Sequence, residues 1–154
     1  MPVFLSHKRE DTEVAVRIGR YLTSNGVVCY IDVLDPTLKT TDDITDTIIS
    51  RLKMCSHMMA VVSQYTERSW WVPFETGVAT ETEKRISSYD VGATNLPEFL
   101  SKWPILKSQR DLDLFIQFYR RDTQVPSGEK RASVPTHSEI RSAQQFHREL
   151  KASL

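Results

Sequence analysis

Met58-Met59-Ala60-Val61-Val62-Ser63 runs apolar through five successive residues, with no polar alternation. A strand of that kind is covered on both faces, as in a parallel sheet packed between helices. Working outward, Val3-Phe4-Leu5 and Val27 to Ile31 read as two earlier strands. Between them a helix begins at Asp11, with Val14, Ile18, Tyr21 and Leu22 on one face, and Asn25-Gly26 closes it as a glycine-type cap. Val33 to Thr41, which holds Asp35-Pro36, reads as a loop, and Asp42 to Cys55 as a second helix carrying Ile44, Ile48 and Leu52. Downstream, a helix containing Glu75 is expected to run to about Arg85. Ile86 to Val91 and Trp103 to Leu106 are candidate strands, Leu96 to Leu100 a short helix and Asp111 to Tyr119 a clearer one. Strand and helix alternate with short connections. The pattern predicts an α/β, flavodoxin-like open parallel sheet of about five strands, with helices on both faces and right-handed crossovers.

Residues 1–121 are expected to form this domain. Arg121 to Thr136 holds Pro, Ser, Gly and charge, so 122–137 reads as a linker or ordered arm. Residues 138–154 fit an amphipathic C-terminal helix, with Ile140, Ala143, Phe146 and Leu150 along one side. That stripe either docks on the domain or meets a partner.

Composition narrows the function. The 20 basic and 20 acidic residues cancel, which argues against a nucleic-acid footprint. Cys29 and Cys55 lie in or beside apolar runs and read as small core hydrophobes in a reducing compartment. The four histidines show no ligand spacing with either cysteine, so no metal is expected. With no leader-like stretch and no membrane-length apolar run, the expectation is a cytoplasmic protein that begins with its domain, without a membrane partner.

Ligands of open parallel sheets bind outside the carboxyl ends of the strands. Three segments should meet there: Ser6 to Asp11, Asp32 to Thr41, and the stretch Ser69-Trp70-Trp71-Val72-Pro73-Phe74-Glu75. Pro73 lacks an N–H, so a helix should begin close to it, placing Glu75 in the first turn, where the helix dipole favours the carboxylate. Trp71, four residues earlier, could wall one side of that anion. The plainer alternative is a core tryptophan pair with a dipole-satisfying glutamate. Ser6, Lys8 and Arg9 could meet phosphates, or form a solvated charge cluster ahead of a helix. Neither a dinucleotide-binding glycine fingerprint nor a P-loop is present.

Val3-Phe4-Leu5-Ser6-His7-Lys8-Arg9-Glu10-Asp11 resembles the first box of Toll/interleukin-1 receptor (TIR) domains, a strand ending in Phe-x-Ser-Tyr followed shortly by an acidic residue. Ser69-x-Trp71-x-x-x-Glu75 resembles their Ser-x-Trp-Cys-x-x-Glu signature on the third helix. The likeness is good over Pro2 to Arg85 and looser from Ile86 to Arg121. His7 stands for the usual tyrosine and Val72 for the usual cysteine, and Thr40-Thr41-Asp42-Asp43 stands where a glycine commonly precedes the second helix. The receptor-type Phe-Trp box has no clear counterpart; Trp103-Pro104 occupies its position.

The resemblance implies an NAD+ glycohydrolase or ADP-ribosyl cyclase of the bacterial stand-alone, Thoeris-like type, acting in antiphage defence. NAD+ would be the substrate and no further cofactor is implied. Glu75 would be catalytic, with Ser6, His7, Lys8, Arg9, Asp32, Ser69 and Trp71 binding substrate. It also implies homo-oligomerisation through TIR–TIR contacts and a downstream effector that reads the nucleotide product. Two alternatives remain open: a non-catalytic TIR scaffold, and a nucleoside deoxyribosyltransferase-like enzyme, which also places a glutamate at a glycosidic carbon.

Overall fold

A computed structural model describes residues 1–31, 41–93, 95–124 and 137–154. Asp32, the expected loop through 33–40 and most of the expected arm, 125–136, lie outside the described residues. Five strands, β1 (Val3–Ser6), β2 (Cys29–Ile31), β3 (His57–Val62), β4 (Arg85–Asp90) and β5 (Ile105–Leu106), form one sheet in the order β2-β1-β3-β4-β5. Every pairing is parallel. This is the order of flavodoxin-like sheets, whose switch point lies between β1 and β3.

All six residues of β3 are buried. Side-chain alternation explains why both its faces are apolar. Val3, Leu5, Met59 and Val61 pack with α1 (Thr12–Ser24), α4 (Gln109–Gln124) and α5 (His137–Ser153). Phe4, Met58, Ala60 and Val62 pack with α2 (Thr41–Met54) and α3 (Trp71–Glu81) on the other face. Among the described residues, no helix is long and apolar enough to cross a membrane. Burial pushes the Cys29 and Cys55 thiols up to about 12 and about 11, so both stay protonated and packed.

Three expectations are corrected. The helix bearing Glu75 ends at Glu81, and Arg85 already opens β4. The stop is a Schellman-type cap: Lys84 N–H reaches Ala79 O (2.9 Å) and Glu83 N–H reaches Thr80 O (3.1 Å), with Glu83 left-handed at φ 51°. α1 ends by the same pair of bonds around Gly26 (φ 81°), the residue usually found there. Second, α3 starts at Trp71, so Glu75 sits in its second turn and not its first. Pro73 is still tolerated, because the first intrahelical bond, Phe74 N–H to Trp70 O (3.3 Å), comes after it. Third, α4 runs from Gln109 to Gln124, longer at both ends than Asp111 to Tyr119, because Asp111 accepts the N–H groups of Lys107 (2.8 Å) and Ser108 (3.0 Å) and braces its start.

The apolar stripe of the C-terminal helix docks: Ala143, Phe146 and Leu150 are buried. Its polar fastening lies at the amino ends of β3 and β4. Arg85 Nε pairs with Asp122 at 2.7 Å, Ser142 joins both, and Ile86 N–H donates to His147 Nε2 at 2.8 Å. His57 lies 3.7 Å from Asp122, but burial holds it well below its usual range and neutral, so the cation of this cluster is Arg85. Burial, then Arg85, pushes His147 down to about 4. An unfolded histidine titrates near 6.5, so between about pH 6.5 and pH 4 the unfolded chain binds more protons. Stability should therefore be complete above that window and fall by roughly 1–2 kcal/mol as pH drops to about 4.5. Chemical denaturation across that range, beside His147→Gln, checks this: the variant should lose the share of the slope that His147 supplies and keep the share of buried His57.

Candidate active site

Alternation along β1 sends Ser6 to the α2/α3 face and His7 to the α1 face. On the first face, in register, lie Ser6, Ala60 and Ser88 from three adjacent strands. This floor of small side chains leaves room beneath α3, and Glu75 points into it. Ser6 Oγ–H donates to Glu75 Oε2, and neither residue has any exposed surface. Burying a carboxylate is costly unless it is hydrogen-bonded, so this bond is part of what holds Glu75 in place. The pair sits at the carboxyl end of β1, beside the switch point.

A second tie closes the same edge. Ser63 Oγ–H donates to buried Asp11 Oδ2 at 2.7 Å and accepts Tyr65 N–H at 3.1 Å. Ser63 N–H donates to Thr66 Oγ1 at 3.0 Å. The loop after β1 is thus fastened to the loop after β3 at the carboxyl edge of the sheet. Ser63→Ala should cost about 1–3 kcal/mol by leaving Asp11 without its hydroxyl donor, read as a lowered denaturation midpoint.

The remaining expected residues are spread around this centre. His7 is buried but faces α1, with Nε2 3.1 Å from Thr12 Oγ1. Thr12 gives its one hydroxyl proton to Arg9 O (2.7 Å), so it accepts from His7 Nε2–H. The bond described for His7 thus runs to the start of α1. Lys8 pairs with Glu10 at 3.3 Å, and Arg9 is exposed. Ser69 accepts Val72 N–H at 3.3 Å and so braces the start of α3. Trp71 shares a helix face with Glu75 but is half-buried, its ring edge-on to Phe74 at 5.8 Å and 83°. Asp32 lies outside the described residues. Asp11 ends the first box, but its partners Ser63 and Thr66 belong to no motif. A serine closing an otherwise apolar strand was the available signal for Ser63.

Chemically, the centre is a buried carboxylate to which Ser6 Oγ–H donates, over a floor of Ala60 and Ser88, with Lys8 and Arg9 in the loop after β1. Such a group can hold hydroxyls and stabilise positive charge.

The family profile described as TIR domain matches residues 3–124. Among solved structures, the TIR domain of the Toll-related receptor TRR-2 from Hydra magnipapillata superposes with a TM-score of 0.59, at 16% identity, covering 79% of this chain and 94% of that one. A flavodoxin-like domain from Synechococcus sp. is 12% identical, covering 98% of this chain and 96% of that one, with a TM-score of 0.41. No curated protein sequence matches.

Proposed function

The chain belongs to the TIR domain family, and from that premise we propose that it cleaves the nicotinamide–ribose bond of NAD+, with Glu75 as the catalytic carboxylate. One observation carries the reading: a fully buried glutamate, held by Ser6 Oγ at the switch point of the sheet. In this reaction nicotinamide leaves as a neutral base while positive charge develops on the ribose. An ionised Glu75 stabilises that charge or holds the ribose hydroxyls, and its effect is largest away from water. Ser6 orients the carboxylate. Lys8 and Arg9 meet the pyrophosphate, and Trp71 packs against the ring-bearing end of the substrate. Water attack at the ribose carbon gives ADP-ribose, nicotinamide and a proton; attack from within the molecule gives a cyclic isomer. Because Glu75 has no exposed surface, a ribose reaches it only when the residues above it move. Turnover should accordingly be low at rest and rise with a trigger, as suits an antiphage role in which the nucleotide product signals to a separate effector.

The same burial favours a second reading, a TIR interaction module in which the Ser6–Glu75 bond is only a structural tie. Nicotinamide release from NAD+ by concentrated protein, beside Glu75→Gln, separates the two. Release by the wild type and loss in the folded variant supports the enzyme. Intact NAD+ at every concentration, with and without a crowding agent, supports the module. A parallel arm with deoxynucleosides and a free base tests for base exchange.

A further inference from the structure

α3 carries Glu75 but is poorly built as a helix. Of its eleven residues only Glu75, Ala79 and Glu81 are strong helix formers. Pro73 supplies no N–H, so the ladder begins at Phe74, whose bond to Trp70 O is long at 3.3 Å. The brace at the amino end, Val72 N–H to Ser69 Oγ, is equally long at 3.3 Å. Thr76 and Thr80 turn their hydroxyls back onto Val72 O and Thr76 O, each at 2.7 Å, a bonding pattern that slightly weakens and bends a helix. Gly77 follows in mid-helix, where glycine is worse than alanine because it has more backbone freedom to lose on folding. Nothing local demands a glycine there. Its φ lies outside the left-handed region, it is exposed, and a Cβ added to it meets nothing within 4 Å.

A glycine that neither packing nor backbone geometry needs, two residues beyond a carboxylate with no exposed surface, suits a hinge. We propose that the amino half of α3, Trp71 to Thr76, swings away from the sheet about Gly77, and that this motion uncovers Glu75. The other half stays in place: Ala79 is buried, and the bonds from Glu83 and Lys84 close its end. The moving half is held by buried Val72 and by the bond from Ser6 to Glu75. Opening breaks that bond, so the carboxylate leaves its hydroxyl partner as it reaches the surface. Gly77 is thus a positioning residue: it sets how often Glu75 is presented and does not itself touch a substrate. That the uncovered carboxylate meets NAD+ rests on the function proposed above; the opening of α3 does not.

Hydrogen exchange of the full chain, followed by mass spectrometry beside NAD+ turnover, tests the hinge. Amides 74–76 should exchange about tenfold or more faster than those of β1 and β3, because they open without global unfolding. Gly77→Ala favours the closed helix at no steric cost, so their protection should rise about two- to fivefold and the melting temperature should not fall. Ser6→Ala should act in the opposite sense on the same amides, since it removes the tie to β1. With NAD+ as substrate, Gly77→Ala should raise KM by the same factor, about two- to fivefold, and leave kcat unchanged, because only the fraction of open molecules shrinks. A glycine of merely structural consequence would give a more stable enzyme with an unaltered KM, and that result overturns the proposal. So do amides 74–76 that exchange no faster than the core, or protection that Gly77→Ala leaves unchanged. NAD+ left intact by a chain whose α3 opens in this way sinks the cleavage reading and leaves the hinge standing.

Discussion

Glu75→Gln is expected to lower NAD+ cleavage about 10²–10³-fold while the domain keeps its fold. Glutamine has nearly the shape of glutamate, and its side-chain carbonyl can still accept from Ser6 Oγ. The substitution therefore removes the charge from a position with no exposed surface while keeping the acceptor for Ser6. If Glu75 works by stabilising positive charge on the ribose, that charge is what the reaction needs. Glu75→Asp asks a different question: it keeps the charge but draws it back by one methylene, a misplacement that can itself cost about 10²-fold. Turnover with each variant, beside its melting temperature, checks both. A glutamine variant within tenfold of the wild type, equally stable, would mean that the buried carboxylate is a structural tie.

Phe146→Ala is expected to destabilise the chain by about 3–5 kcal/mol, read from the denaturant midpoint. Phe146 is 3% exposed and stands edge-on to Phe115 (6.1 Å), Phe118 (6.2 Å) and His57 (5.1 Å). Truncation leaves a cavity among rings fixed by β3 and α4, where little can collapse to fill it. This cluster sits at the amino ends of the strands, opposite Glu75, so turnover per folded molecule should not change. A loss below about 1 kcal/mol would show that α5 contributes little to the fold.

The sheet was legible because its strands are buried on both faces and its helices keep an apolar period. Val3-Phe4-Leu5 and Met58 to Val62 could hardly be read otherwise. Helix ends were legible only where the usual residue stands at the cap. Gly26 announces the end of α1, whereas Glu83 makes the same left-handed turn without a glycine and let the expected helix overrun to Arg85. Ser6 and Glu75 stood out by likeness to two family boxes and were expected at the same end of the sheet. Ser6 was expected toward a phosphate, however, and its bond to the carboxylate across 69 residues of sequence was not legible. Nor was the site's supporting shell. His7 adjoins Ser6 in sequence, but a strand turns successive side chains to opposite faces, and this sends it to α1. The Asp11–Ser63 tie joins two loops whose pairing depends on strand order. Trp71 stands apart from Trp70 in sequence by its four-residue spacing to Glu75, but the degree of burial is set by the phase of α3, which half-buries Trp71 and leaves Trp70 almost wholly exposed.

The most direct test of the central claim is to incubate concentrated protein with NAD+ in ¹⁸O-labelled water and follow the products by mass spectrometry. Cleavage at the nicotinamide–ribose bond predicts free nicotinamide, with the label on the ribose carbon of a linear product or absent from a cyclic one. Label on a phosphate, or NAD+ left intact at every protein concentration, would contradict it.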